Sequence, residues 1–418
     1  MNIYSFDKLV DERLEDDKGL AINKGVATAI KRKRQEKNFT QGEVSKGICS
    51  ISYLSKIENG YLEVDNYYVQ EIINRIGIDI NEICDKHYIH EIKELVRAIY
   101  LEEDQTILNI YERILNDNPK NCLSAELISL GKHLYFGEYI HSSKLIKDVN
   151  SVKKDLNNYE LKVFMYFIAL YEGKHMRTKS SMSYLNTLCK MENDDNNLRS
   201  LIDILQIRIN IYLGEYVLAL NTINAIESII ANGININKTI RIKLLQSELL
   251  ILSGKPKASE NILSKVRVYQ SMSKYILEYY NYVNGLYLKE LGNYEEAITM
   301  FLNGCNYYYF QCMSNIVECY FELGNMEMIS TYIKMMNEKQ IDDGNVFYEA
   351  IAHYFKLKSQ GNLYELKDYI SRQMLPMFKK LKFRYYQEKV MYDLINFHSM
   401  NGRYKEINNI REKFNNDF

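Results

Sequence analysis

The side chains with the clearest chemical potential lie between positions 31 and 58, where cations and small hydroxyl groups cluster. Four consecutive cations, Lys31 to Arg34, precede the segment TQGEVSKGICSISYLSKIENG, which is rich in serine, threonine and amide groups. Lysine and arginine bind phosphate oxygens, and short polar side chains hydrogen-bond to base edges. The residue types therefore predict binding to nucleic acid, provided that the elements carrying them expose these groups together.

Local signals divide this region into short helices. Residues 26–39 have the apolar spacing of one helix, and Thr40 and Glu43 have the spacing of a capping box that starts a second helix. Gly47 ends the second helix within two turns, and Ser50 can cap a third. We expect two short helices joined by a tight turn.

The third helix has two different faces. Leu54 and Ile57 are three residues apart and are expected to pack inward, while the rest of the helix faces outward before it ends at Gly60. A fourth helix, capped by Asp65, follows and closes a small apolar core. A short helix, a tight turn and a helix with an exposed polar face form a helix-turn-helix, whose second helix enters the major groove.

Double-stranded DNA is therefore the expected partner of this domain. The alternative is a helix-turn-helix that serves only protein interactions. The residues expected to contact phosphates are Lys31, Arg32, Lys33, Gln41 and Ser50, and those expected to contact base edges are Ile51, Ser52, Tyr53 and Lys56.

Composition limits the other classes of protein. The chain has 418 residues, a formal net charge of -1 and no tryptophan, so no global positive field draws it to nucleic acid. It lacks a signal-peptide pattern and an apolar run of about 18 residues, which predicts a cytoplasmic protein with no membrane contact. Its 7 cysteines include no C-x-x-C pair, and no P-loop, H-E-x-x-H motif or nucleophile elbow occurs. We expect no metal, no cofactor and no enzymatic activity.

The rest of the chain shows a repeated pattern of helix pairs. The best unit is YYNYVNGLYLKELGNYEEAITMFLNG, with small and large residues at the positions of a tetratricopeptide helix pair. Similar units recur every 32 to 41 residues, each with a glycine between its helices: Gly137, Gly173, Gly214, Gly254, Gly292, Gly324, Gly361 and Gly402. The pattern predicts an all-α fold in which a right-handed tetratricopeptide-like α-solenoid follows the helix-turn-helix. An irregular helical bundle is the alternative.

Four segments follow from these patterns. They are an acidic N-terminal extension (1–24), the helix-turn-helix domain (25–80), a linker helix (81–102) and the repeat domain (103–418). For the acidic extension we weigh a short helix against the basic first helix of the DNA module and a frayed surface segment.

The helix-turn-helix resembles the Cro/CI type, because KRQEKNFTQGEVSKGICSISYLSKIENG carries TQ and IENG at the distances of that family. The resemblance implies an ion pair between Arg34 and Glu58. Together with the repeats, the short turn in GICSISYLSKIENG is similar to the PlcR-like branch of the RRNPP quorum-sensing regulators.

That resemblance implies a homodimeric transcription factor whose repeat domain binds a short signalling peptide and thereby changes dimer geometry. The inner-face positions of tetratricopeptide units indicate Arg208, Glu248, Tyr279, Asn281, Tyr282 and Lys289 as the peptide-binding residues. Two alternatives remain open: a repeat protein that sequesters another protein, and a constitutive repressor with no peptide ligand.

Overall fold

The computed structural model describes residues 4–15, 24–59, 66–78, 88–117, 122–191, 195–230, 236–266, 272–338, 346–381 and 384–416. Within these ranges the backbone forms helices joined by turns, and no strand occurs. The predicted all-α fold class, a helix-turn-helix followed by helical repeats, is confirmed. None of the helices described is long and apolar enough to cross a bilayer.

The chain divides into two compact units. The first comprises residues 1–99, 103–168 and 184–198, and the second comprises residues 100–102, 169–183 and 199–418. The helix-turn-helix region and the earliest repeats share the first unit. The helix-turn-helix region is therefore packed together with repeat helices in one body.

The N-terminal helix α1 (Tyr4–Glu15) packs on the repeats of the first unit. Phe6 is fully buried, and its ring centroid lies 5.4 Å from that of Tyr184. Arg13 donates to the backbone oxygen of Leu156 at 2.7 Å. Burial of Phe6 and these long-range hydrogen bonds hold α1 against the repeats. For residues 4–15, both alternatives weighed from the sequence are therefore wrong: a short helix against the basic first helix, and a frayed surface segment.

One of the acidic side chains of this segment, Asp7, also contacts residues of the repeats. Asp7 accepts a hydrogen bond from Thr187 at 2.6 Å and lies 3.3 Å from the Lys190 amine. Asp16 and Asp17, which contribute to the same acidic run, lie outside the described residues.

Four helices form the small N-terminal core: α2 (Lys24–Glu36), α3 (Gln41–Ser45), α4 (Ile51–Glu58) and α5 (Asn66–Ile76). Thr40 caps α3 through both hydrogen bonds of a capping box with Glu43, and Ser50 caps α4. The expected helix end at Gly60 and cap at Asp65 fall outside the described residues. The buried side chains of this core are Ile30, Val44, Leu54, Ile57, Ile72, Ile73, Ile76 and Ile78.

The segment expected to be a linker is the first helix of a helix pair. Helix α6 (Ile89–Leu101) buries Ile92, Leu95 and Val96, and a turn leads to α7 (Asp104–Asn116). An ion pair of 2.8 Å joins Arg113 of α7 to Glu94 of α6. The turn contains Glu102 at φ 61° instead of a glycine, which is why the glycine pattern did not predict this pair.

The remaining helices follow as consecutive pairs. Those of the middle repeats are α8 (Leu123–Tyr135) and α9 (Tyr139–Ser151), α10 (Asn158–Lys174) and α11 (Thr178–Leu188), α12 (Asn196–Leu213) and α13 (Tyr216–Ile230), and α14 (Ile236–Leu252) and α15 (Pro256–Leu263). Those of the last repeats are α16 (Lys274–Glu290) and α17 (Tyr294–Asn303), α18 (Tyr309–Glu322) and α19 (Met326–Glu338), α20 (Val346–Ser359) and α21 (Leu363–Tyr369), then α22 (Leu375–Leu381), α23 (Arg384–Met400) and α24 (Tyr404–Asn416).

Turn geometry distinguishes one of the eight marker glycines from the others. Gly173 lies inside α10, and the left-handed residue of that turn is Met176, with φ 57°. A Cβ on Gly173 would come within 3.1 Å of Ile209 Cδ1, so this glycine permits close packing and not a turn. Its predicted role is therefore wrong. The other seven do adopt positive φ: Gly137, Gly214, Gly254, Gly292, Gly324, Gly361 and Gly402.

The best sequence unit forms α16 and α17. Phe301 of α17 is fully buried over Gly285 of α16, where an added Cβ would lie 2.7 Å from the ring. Because the two helices approach this closely, only glycine fits at position 285 without a shift of the neighbouring helix.

Candidate DNA-binding surface and ligand-binding cluster

Helix α4 is held at its N-terminus by Ser50. The Ser50 hydroxyl accepts from the backbone amide of Tyr53 at 3.1 Å and lies 3.0 Å from the Ser52 hydroxyl. Leu54 and Ile57 are buried in the core, which fixes the rotation of the helix about its axis. A capped helix with two buried anchors presents its remaining face as a rigid surface.

The outer face of α4 carries most of the side chains expected to read DNA. Ile51 is 56% exposed, and Ser52 and Lys56 are also exposed. Tyr53 is half-buried, and its ring meets Tyr68 edge-on with centroids 5.3 Å apart. Tyr53 therefore contributes only its outer edge to this surface.

A second tyrosine beside this surface was missed by sequence reasoning. Tyr67 is 64% exposed and lies next to Tyr68, at a centroid distance of 5.6 Å. The only signal was the tyrosine pair in DNYYVQ, at the start of the fourth helix.

A buried polar network connects α2, α3 and α4. The Glu58 carboxylate is 1% exposed and receives hydrogen bonds from Arg34, Nε at 2.5 Å and Nη2 at 2.9 Å. Gln41 donates to the same carboxylate from Nε2 at 2.8 Å. The amide nitrogen of Gln41 is thus directed to Glu58, and Arg34 fixes the end of the candidate recognition helix to α2.

The cations of the basic cluster on α2 differ in burial and in the side chains that they contact. Lys31 and Lys33 are half-buried, and the amine of Lys33 lies 3.2 Å from Glu36. Arg32 is buried and makes a bidentate ion pair with Glu126 of α8, with Nη2 2.7 Å from Oε2. Arg32 therefore departs from the expected phosphate contact, because its guanidinium faces a repeat helix and not solvent.

This geometry defines a helix-turn-helix protein with helical repeats. Residues 30–83 match the helix-turn-helix family, so that part of the resemblance is confirmed. None of the curated proteins compared with the chain matches it. Among solved structures, the chain is similar to the apo form of the quorum sensor NprR from B. thuringiensis. That similarity has a TM-score of 0.47 and 15% identity, over 78% of this chain and 97% of that chain.

The six residues expected to bind peptide do not form one site. Lys289 lies in a separate buried network, 2.5 Å from Glu318 and 2.7 Å from Asn315 Oδ1. Asn281 donates to the backbone oxygen of Asn303 at 3.3 Å, at an exposed position. Neither residue contributes to the cluster that the other four form.

Arg208, Glu248, Tyr279 and Tyr282 meet in the interior of the second unit. The Tyr279 hydroxyl donates to Glu248 at 2.5 Å, and the Arg208 guanidinium lies 4.7 Å from the Tyr279 ring. Tyr282 stacks on Tyr308, with centroids 5.1 Å apart and planes 4° from parallel. Tyrosine rings, one arginine and one glutamate therefore form a continuous buried cluster.

The same place holds two cations that the sequence analysis did not single out, Lys174 and Arg241. We define the cationic cluster as Lys174, Arg208 and Arg241 together with Tyr275 and Tyr308. The Lys174 amine lies 4.8 Å from the Tyr308 ring, and the Arg241 guanidinium lies 5.3 Å from the Tyr275 ring. Arg208 donates from Nη1 to Tyr275 at 3.3 Å and from Nη2 to Tyr308 at 3.1 Å. No local sequence motif marks this set, since each member comes from a different repeat.

The electrostatics of the cluster are those of a cation-rich interior. Burial lowers the pKa of Lys174 to about 8. Burial alone would raise the pKa of Tyr275, but Arg208, Lys174 and Arg241 outweigh it and lower that pKa to about 7. The three cations thus stabilise a negative charge at the Tyr275 oxygen.

A largely apolar cavity of about 690 Å³ opens elsewhere in the second unit. Its wall comes mainly from α19, α20 and α22. Lining side chains include Met336, Phe347, His353, Tyr369 and Met377, together with His175. A volume of this size accommodates several side chains of a short peptide.

One group of described residues has ligand atoms close enough to hold a metal ion: His133, Glu138 and His141, within 4.8 Å of one another. The Glu138 carboxylate is already paired with the Lys132 amine at 2.7 Å. The two imidazole rings stack 5.0 Å apart. The Lys132 ammonium and the stacking of the two imidazole rings oppose metal coordination. We interpret the group as polar contacts that stabilise the turn between α8 and α9.

Proposed function

We propose that this chain is a transcriptional regulator of the RRNPP type, with α4 reading double-stranded DNA and the repeats binding a short signalling peptide. The observation that carries the proposal is the exposed outer face of α4, on a helix capped by Ser50 and anchored by Leu54 and Ile57. The sequence resemblance of GICSISYLSKIENG to PlcR-like regulators supports the class.

The proposed DNA contacts are side chains that are exposed or half-buried. Lys31, Lys33 and Ser50 neutralise or bind phosphates, and Ile51, Ser52 and Lys56 contact base edges, with Tyr53 and Tyr67 at the border. Gln41 positions the helix through Glu58. We further propose that the protein acts as a homodimer, because two recognition helices are needed to read two half-sites.

The peptide part of the proposal is supported by the second unit. The cavity beside Phe347 offers apolar surface for side chains, and the polar groups of the cationic cluster are the proposed partners of polar peptide groups. A peptide that binds one conformation of the regulator better than another shifts the population and hence DNA affinity.

Combined replacement of Ser52 and Lys56 by alanine is expected to weaken binding to the protein's own upstream DNA by at least about tenfold, since each good base contact contributes about 1–3 kcal/mol. Gel retardation at fixed salt measures this. Lys257→Ala, which removes one exposed lysine of α15, is the charge-matched control and should bind normally. Unchanged retardation of the double variant would show that α4 does not read the DNA.

Addition of the cognate peptide is expected to change DNA affinity by roughly 5–150-fold, the usual range of allosteric coupling. The candidates are short peptides encoded beside the gene, screened first by calorimetry and then in the same retardation experiment. A peptide that binds without changing DNA affinity, or no binding peptide at all, would favour a constitutive repressor. If the protein still binds DNA when no peptide alters its affinity, the proposed role of α4 is unaffected.

A further inference from the structure

Helix α2 carries two arginine–glutamate pairs that point in different directions. Arg34 binds Glu58 at the end of α4, and Arg32 binds Glu126 in the first turn of α8. In each pair, two guanidinium nitrogens donate to the two oxygens of one carboxylate. Because residues two apart on a helix face different sides, α2 lies between the candidate recognition helix and a repeat helix and is bound to both.

The pair between Arg32 and Glu126 is sheltered from water. The side chain of Arg32 is 10% exposed and that of Glu126 is 23% exposed. Such a pair holds a fixed geometry better than a surface ion pair, because water competes less for its charges and the planar guanidinium orients both hydrogen bonds. It therefore constrains the position of α2 relative to α8.

Helix α8 is itself packed tightly among the repeats. A Cβ added at Gly131 of α8 would lie 2.7 Å from the ring of Phe167 in α10 and 2.8 Å from a side chain of α6. At the start of α8, Ser124 donates to the Glu160 carboxylate of α10 at 2.5 Å. Since α8 cannot shift without its neighbours, movement of these repeats also moves Glu126 and the helix bound to it.

We propose that Glu126 is a positioning residue for DNA recognition: through Arg32 it fixes α2, and α2 fixes α4 through Arg34 and the shared apolar core. The inference rests on the proposed reading of DNA by α4 and names the contact by which the repeats regulate it. A displacement of α8 that breaks this pair frees α2 from the repeats, which changes how α4 is presented to its half-site.

Glu126→Gln in the full chain gives the first test, because positioning and simple electrostatics predict opposite signs. Glutamine has nearly the same shape as glutamate but lacks its negative charge, and that loss alone would strengthen binding to a polyanion. If Glu126 positions α4, affinity for the protein's own upstream DNA should instead fall by at least about threefold, as measured by gel retardation. Unchanged or tighter binding would overturn the positioning role.

The matched control is Glu112→Gln. Glu112 is exposed on α7, so its substitution makes the same change in net charge away from α2. This control should bind DNA at least as tightly as the native chain. An equal loss of affinity in Glu112→Gln would also overturn the proposal, because the loss would then follow from charge and not from the contact with Arg32.

Hydrogen exchange of the α4 amides tests the coupling without DNA. Both carboxylate oxygens of Glu126 bind Arg32, so among the described contacts the substitution reaches α4 through α2. The amides of Leu54 and Ile57 should exchange at least about threefold faster in Glu126→Gln than in the native chain or in Glu112→Gln. Faster exchange confined to α2 and α8 would overturn the coupling, since it would show a contact whose effect stops at α2.

A double-mutant cycle shows whether the two residues act as one contact. The double variant Arg32→Gln with Glu126→Gln should accelerate α4 exchange no more than either single variant, because each removes the same pair. Effects that add in the double variant would overturn the route through Arg32. A native chain that fails to bind DNA, while α4 exchange responds as expected, contradicts the proposed function and not the coupling.

Discussion

Arg34→Met is expected to destabilise the helix-turn-helix domain by about 3–5 kcal/mol, the usual cost of leaving one buried charge without its partner. Glu58 is buried and receives two hydrogen bonds from Arg34. Methionine fills much of the same volume but removes both donors, and only Gln41 remains. Because Glu58 ends α4, specific DNA binding should be lost with the fold of this helix.

Hydrogen exchange of the α3 and α4 amides measures the loss of stability, since a chain of this size does not unfold in one step. The double variant Arg34→Met with Glu58→Met is the matched control. This variant removes the buried carboxylate together with the two Arg34 donors, so the α3 and α4 amides should be more protected from exchange than in the single variant. Native exchange and native DNA retardation in Arg34→Met would refute a positioning role for this ion pair.

Glu318→Gln is expected to destabilise the last repeats at neutral pH but not near pH 2. Glu318 is buried between two ammonium groups, 2.5 Å from Lys289 and 2.6 Å from Lys389. Burial alone would raise the pKa of Glu318, but the two lysines outweigh burial and lower it from 4.5 to about 2. A difference of this size corresponds to about 3 kcal/mol.

The direction of the pH effect follows from the lowered pKa. The ionised carboxylate stabilises the fold fully above pH 4.5, and this contribution is lost as the pH falls through about 2. The difference in opening free energy between the native chain and Glu318→Gln should therefore shrink over that range. Hydrogen exchange of α16 and α18 at several pH values measures it, and Glu322→Gln, exposed on the same helix, is the control. A difference that stays constant with pH would contradict the assignment.

Local interactions explain why the caps and the inward face of the candidate DNA-binding helix could be predicted. The cap of α3 joins Thr40 and Glu43, and the cap of α4 joins Ser50 and Tyr53, each pair three residues apart. The inward turn of Leu54 and Ile57 follows from helical periodicity alone. Tyr53 was only partly predictable, because its contact with Tyr68 depends on how α5 crosses α4.

Contacts between residues far apart in sequence explain most of the predictions that were wrong. Arg32 meets Glu126 across 94 positions of sequence, and α1 packs on repeat helices more than 140 positions away. In sequence, Arg32 belongs to a run of four cations, and only its ion pair with Glu126 of α8 distinguishes it from Lys31 and Lys33. Met176 and Glu102 make turns usually made by glycine, which the local pattern did not reveal.

Local sequence signals were sufficient to predict the helices, the cap of α4 and the repeating helix pairs, because caps, periodicity and glycine turns act over a few neighbouring residues. Which cations come together, in contrast, depends on how the repeats pack in the folded chain. Lys174, Arg208 and Arg241 come from three helices, and stacking of the repeats brings them to Tyr275 and Tyr308. Their proximity depends on the small rotation between successive repeats, a quantity that no short stretch of sequence encodes.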